Sequence, residues 1–186
     1  MKQSVTFSIG TIALLEKADA QTSFFNSVFS GLGGRAKDFI PSIKLLMANK
    51  LGESLAVSRL LEFTSNEELK LLDFEDGVSD RTLNRTLERM GKNSPFVIDK
   101  YQQWVKKNKL DDNTQNVDFS SSYFEGNNCS LAKLGYSRDH EPGKPQLTYG
   151  ISIGANKMPT ALTIQKGNVN DRKHMKTMLK LCTKIL

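Results

Sequence analysis

A carboxylate stands inside a stretch that otherwise alternates like a strand: Asp118 in "QNVDFSSSYFEGNN", residues 115–128. Extended side chains alternate with period two, so Val117, Phe119, Ser121 and Tyr123 share one face while Asp118, Ser120 and Ser122 share the other. Strands disfavour Asp. The residues alone leave two readings, a wet second face or a carboxylate kept for oxygen-ligand work such as holding a hard cation. Thiol and imidazole chemistry has less to offer. Cys129 and Cys182 lie 53 positions apart with no Cys-x-x-Cys, and His140 and His174 are isolated. Such spacing gives neither a recognisable zinc site nor a disulfide framework, and it fits a reduced, cytoplasmic setting.

The cations are the other candidates. The net charge is +6, with 12 Lys+Arg against 12 Asp+Glu in residues 1–93 and 14 against 8 in residues 94–186. A basic surplus suits a polyanion, because each neutralised phosphate releases counterions. In "VSDRTLNRTLERMG", residues 78–91, Arg81, Arg85 and Arg89 recur every four positions, opposite Leu83, Leu87 and Met90. Ser79 caps the start and Gly91 is the expected stop. An arginine stripe on a helix preceded by a helix and a turn suits a helix-turn-helix reader of DNA. It also suits an ordinary solvated face in which Glu88 pairs with Arg85 or Arg89. The loop from Gly135 to Gln146 carries Arg138 and Lys144, which either touch phosphate or are simply solvated.

The elements that must position these groups fall into two classes. Phe39, Ile40, Ile43, Leu46 and Met47 recur at helical spacing, Ser65 and Glu68 have the form of a capping box, and Ser94-Pro95 opens a helix ending in "KKNK". "LDDNTQN", residues 110–116, is a polar connector and the expected boundary. Beyond it, "QLTYGISIG" and "PTALTIQKG" alternate as strands joined by the turn "ANKM", so with residues 117–123 they predict an antiparallel meander. "NVNDRKHMKTMLKLCTKIL" predicts a closing helix with Met175, Met178, Leu179, Cys182 and Ile185 buried and Asn170 or Asp171 at its cap. The fold class is therefore α+β, a helical region over residues 1–114 followed by a sheet domain over 115–186. The apolar "TIALL" is too short for a signal-peptide core or a membrane span.

"VDFSSSYFEG", then "GYSRDHEPGKPQ", then "GNVNDRKHM" resembles, in order, the core of DDE-type transposases of bacterial and archaeal insertion sequences. The resemblance implies an RNase H-like, retroviral-integrase-like domain, with DNA binding by the helical region upstream. It also implies that Asp118 is the first of three catalytic carboxylates, Asp, Asp and Glu, which hold Mg²⁺ for phosphodiester cleavage and strand transfer. The family's second Asp and its Glu lie on elements beyond the first core helix. The chain is thus expected to be a truncated, chemically incomplete fragment whose sheet domain melts before the helical region. The implied partners are transposon-end DNA and an intact transposase or a second copy, with a nucleoid-associated location. Glu125 and Asp139 are kept apart from the catalytic set, and Asp171 is read as a helix cap.

Overall fold

The computed structural model describes residues 9–33, 37–126, 128–136 and 143–185. Within them the chain runs α1 (Gly10–Thr22), α2 (Phe24–Gly33), α3 (Phe39–Leu51), α4 (Val57–Leu60), α5 (Asn66–Leu71), α6 (Asp80–Lys92), α7 (Ser94–Lys107), β1 (Gln115–Tyr123), β2 (Gln146–Gly154), β3 (Pro159–Lys166) and α8 (Asp171–Ile185). Mixed helix and sheet is what the two periodicities require. The chain forms two compact units that divide between Tyr101 and Gln102. The connector at 110–114 is bound into the second unit, since Asn156 in the β2–β3 turn donates to the Leu110 carbonyl and its backbone N–H to the Asp112 carboxylate.

In the first unit α3 packs against α1, α2 and α6. Its Phe39, Ile43, Leu45 and Leu46 are buried with Phe25, Val28 and Phe29 of α2 and Ile12 and Leu15 of α1. Burying such side chains stabilises by roughly 1.5–3 kcal/mol each. A cation locks this packing, for Lys44 Nζ lies 2.8 Å from Glu16 Oε1 and 3.3 Å from Asp19 Oδ2. Burial alone would lower the pKa of Lys44, but hydrogen bonds to and attraction by Glu16 and Asp19 outweigh it and raise the value above the usual lysine range. Asp19 also accepts the Phe25 N–H at 2.9 Å, fixing the α1–α2 corner, where Ser23 takes a left-handed φ of 50°. The capping box forms as expected, with Ser65 accepting from Glu68 N and Glu68 accepting from Ser65 N. Two expectations for α6 change. It passes through Gly91 to Lys92, and Leu87 is 40% exposed while Thr86 is buried beside Leu83, because the helix turns a narrower face to the core.

The second unit is an antiparallel sheet in the order β1-β2-β3, with α8 packed against β3 and β2. Register decides its faces. Phe119 pairs with Gly150, which pairs with Thr163, whereas Asp118 pairs with Ile151 and Ile151 with Leu162. A Cβ on Gly150 would lie 2.6 Å from the Phe119 ring and 3.0 Å from the Met178 methyl, so this row lies under α8. The covered face is consequently small and polar, with Ser121, Thr148, Ser152 and Thr163 buried. The other face bears Tyr149, Ile151, Ile153, Leu162 and Ile164, of which Leu162 and Ile164 are 44% and 55% exposed. On α8, His174, Met178, Cys182 and Ile185 are buried, whereas Leu179, expected in that stripe, is exposed. His174 takes its place, its ring 4.7 Å from that of Phe119 and its Nε2 2.6 Å from Thr163 Oγ1. Asn170 caps the helix, accepting from Lys173 N at 3.0 Å, and Asp171 occupies its first turn.

Candidate functional site

Alternation along β1 delivers Asp118 to solvent, at the middle of an edge strand and on the face opposite α8. Its Oδ1 accepts the Phe119 N–H at 2.8 Å, which orients the carboxylate along the strand. Its cross-strand neighbour is the apolar Ile151, so β2 brings no second acid to it. Among the described residues no three His, Cys, Asp or Glu side chains gather as a metal-holding group. The described residues therefore do not fit a pair of Mg²⁺ ions, which needs several acidic oxygens from different elements.

The second and third motifs do come together. Lys133 and Gln146 exchange backbone hydrogen bonds of 3.1 and 3.0 Å, and the Gln146 side chain donates to the Tyr136 carbonyl at 2.6 Å and the Gly167 carbonyl at 3.2 Å. This cross-link needs Gly167, where a Cβ would lie 1.9 Å from the Gln146 carbonyl oxygen and 2.5 Å from that of Lys133. Beside it opens a cleft of about 550 Å³ at the start of α8, walled by Tyr136, Thr148, Asn168, Asn170, Asp171 and Arg172. Asp118 is not among its walls.

The arginine stripe of α6 is partly engaged within its own unit. Arg89 donates to the carbonyls of Leu32 and Gly33 at 3.2 and 3.0 Å and lies over the Phe39 ring. Glu88 pairs with Lys92 at 2.5 Å, and this hydrogen bond and charge, aided by Arg85, hold its carboxyl below the usual range. Arg81 and Arg85 remain exposed. Lys144 lies 3.6 Å from Glu125 and 4.5 Å from the Tyr123 ring centroid, which draws its charge back onto the end of β1. Arg138, Asp139 and His140 lie outside the described residues.

A pattern that reasoning from sequence overlooks is on α8. Lys173, Lys176, Lys180 and Lys184, spaced three, four and four apart, are all exposed, as is Arg172. Their signal is as plain as the arginine spacing in α6. No helix among the described residues is long and apolar enough to cross a membrane. No family model, no curated protein and no solved structure matches this chain.

Proposed function

We propose that this chain is part of a DDE-type transposase, its helical unit serving DNA binding and its second unit being the opening of an RNase H-like catalytic domain. The observation that carries the reading is Asp118, which stands exposed at mid-strand in the first strand of a β1-β2-β3-α8 succession. The order of the three motifs supports it further. Asp118 supplies one carboxylate, and the remaining ligands for Mg²⁺ come from polypeptide outside the described residues, in the same protein or in a partner. The described residues hold no such site by themselves, so on this reading they bind and position DNA rather than cut it. That single carboxylate equally favours a second reading, a non-catalytic DNA-binding regulator of an intact transposase, acting with it or as a homodimer in the cytoplasm on the nucleoid.

The test is a gel-shift titration against duplexes from the DNA flanking the gene, with scrambled duplex as competitor. Competitor-resistant binding to a flanking repeat is expected. Binding no better than to scrambled duplex removes the transposon-end role. Adding Mg²⁺ separates the two readings' chemistry: cleavage by this chain alone, lost in Asp118→Asn, would show that the acid set is complete after all.

A further inference from the structure

Helix α8 carries five Lys and Arg against the single acid Asp171, so four of the six net charges of the chain sit on this one element. A helix advances 100° per residue, which puts Lys173, Lys176, Lys180 and Lys184 within an arc of roughly 80°. That arc lies opposite the stripe of His174, Met178, Cys182 and Ile185, which faces the sheet. The four ammonium groups thus line the outer side of α8 over about 16 Å of helix axis. Among the described residues Lys173, Lys176 and Lys180 enter no ion pair, and none of the three ammonium groups is held to a neighbouring carbonyl or ring as Arg89 of α6 is.

We infer that the outer face of α8 is a sequence-independent docking surface for the phosphate backbone of duplex nucleic acid. Charge complementarity selects this partner. A duplex presents about one negative charge per 1.7 Å of its axis, so a 16 Å line of cations faces about ten phosphates. Lysine suits the task because a flexible point charge neutralises phosphate without reading bases. Single strands are bound largely by aromatic stacking, and α8 contains no Phe, Tyr or Trp. Stable anchoring of a helix on an anionic membrane combines charge with an inserted apolar face, but here Met178, Cys182 and Ile185 are 0%, 3% and 1% exposed, locked against the sheet.

The inference reaches beyond transposon-end recognition, since it concerns affinity without sequence. The experiment uses the full chain and a fluorescein-labelled duplex of random sequence, with anisotropy followed as salt is varied. The triple variant Lys173→Gln, Lys176→Gln, Lys180→Gln should lower the slope of log K against log salt by about 2.7, at roughly 0.9 for each phosphate no longer neutralised, and weaken binding at least about tenfold at low salt. Lys157→Gln, which removes an exposed cation in the β2–β3 turn, should leave that slope within about 0.9 of the wild-type value. Unfolding followed by Trp104 fluorescence checks that the exposed substitutions leave the unit folded. A wild-type slope in the folded triple variant overturns the inference, as does preference for phosphatidylserine vesicles over duplex. Flanking-repeat specificity with an unchanged slope in the variant would sink this surface while sparing the transposase reading. Loss of slope without any repeat preference would do the reverse.

Discussion

Gly167→Ala tests the cross-link that joins the loop before β2 to the segment after β3. Real Cβ atoms do not approach other heavy atoms within 3.0 Å, yet at this position one would meet the Gln146 and Lys133 carbonyl oxygens at 1.9 and 2.5 Å. Both obstacles are backbone, so no rotamer change relieves them. The segments must part by about an ångström, which breaks or stretches the Lys133–Gln146 pair of bonds and the Gly167 N–H to Leu131 carbonyl bond of 3.2 Å. At about 1 kcal/mol net for each of these bonds, the loss comes to about 3 kcal/mol. Trp104, buried in the second unit, reports the effect. With a urea m-value of about 1–1.5 kcal/mol/M for a unit of this size, the fluorescence midpoint should fall by about 2–3 M, while the helical unit is unmoved. A midpoint loss worth less than about 0.5 kcal/mol would refute the close approach on which the reasoning rests.

Three further outcomes are expected. Gly91 lies inside α6 with open space where a Cβ would go, so Gly91→Ala should stabilise the helical unit by about 0.5–1 kcal/mol in thermal unfolding, and a loss would contradict its helical placement. Lys44→Met leaves Glu16 and Asp19 facing each other without their cation and should cost about 1–3 kcal/mol in chemical denaturation. The folded pKa of Lys44 is raised above 10.5, and burial raises that of Tyr101 above 10.0, so both contributions are full below those values and are lost as pH rises through the folded ones. Stability of the helical unit should therefore decline on the alkaline side, less steeply in Lys44→Met; equal slopes in the two proteins would count against the pairing. Asp118→Asn removes an exposed charge whose bonding partner is its own neighbour's N–H, so the urea midpoint read by Trp104 should move by less than the equivalent of about 0.5 kcal/mol.

What the sequence discloses and what it withholds divide along local and non-local physics. The strands, α6, α7 and α8 are legible because a period of 2 or 3.6 and a capping residue lie within a few positions of each other. Helices α1 and α2 are not legible in this way. α1 buries only Ile12 and Leu15, and its place is set by the distant Lys44, 28 residues from Glu16. Hydropathy of β2 would turn Leu147, Tyr149, Ile151 and Ile153 inward, but pairing with Phe119 turns Gly150 and Thr148 inward instead, a register that no single strand encodes. The exposure of Asp118 follows from alternation alone. The engagement of Arg89 does not, since its acceptors lie 56 and 57 residues away.

The arrangement of α8 over the sheet separates the two groups to which the proposed readings assign nucleic acid. Asp118 projects from the face opposite α8, while the lysines project from the side of α8 turned away from the sheet. A helix packs with its axis about 10 Å from its neighbour and is about 10–12 Å across with side chains, so the ammonium groups lie about 15 Å or more from the sheet, with the core of Phe119, Ala161, Met178 and Cys182 between. A rigid duplex resting along the lysines cannot also present a phosphodiester to Asp118 without bending around the unit. On the proposed reading the two groups therefore take different segments of nucleic acid, one anchored by charge on α8 and another brought to Asp118. Anchoring and any chemistry at Asp118 should consequently separate in mutants. Asp118→Asn leaves the salt slope of duplex binding intact, because its charge lies beyond a Debye length of about 8–10 Å from the lysine line and is screened from it.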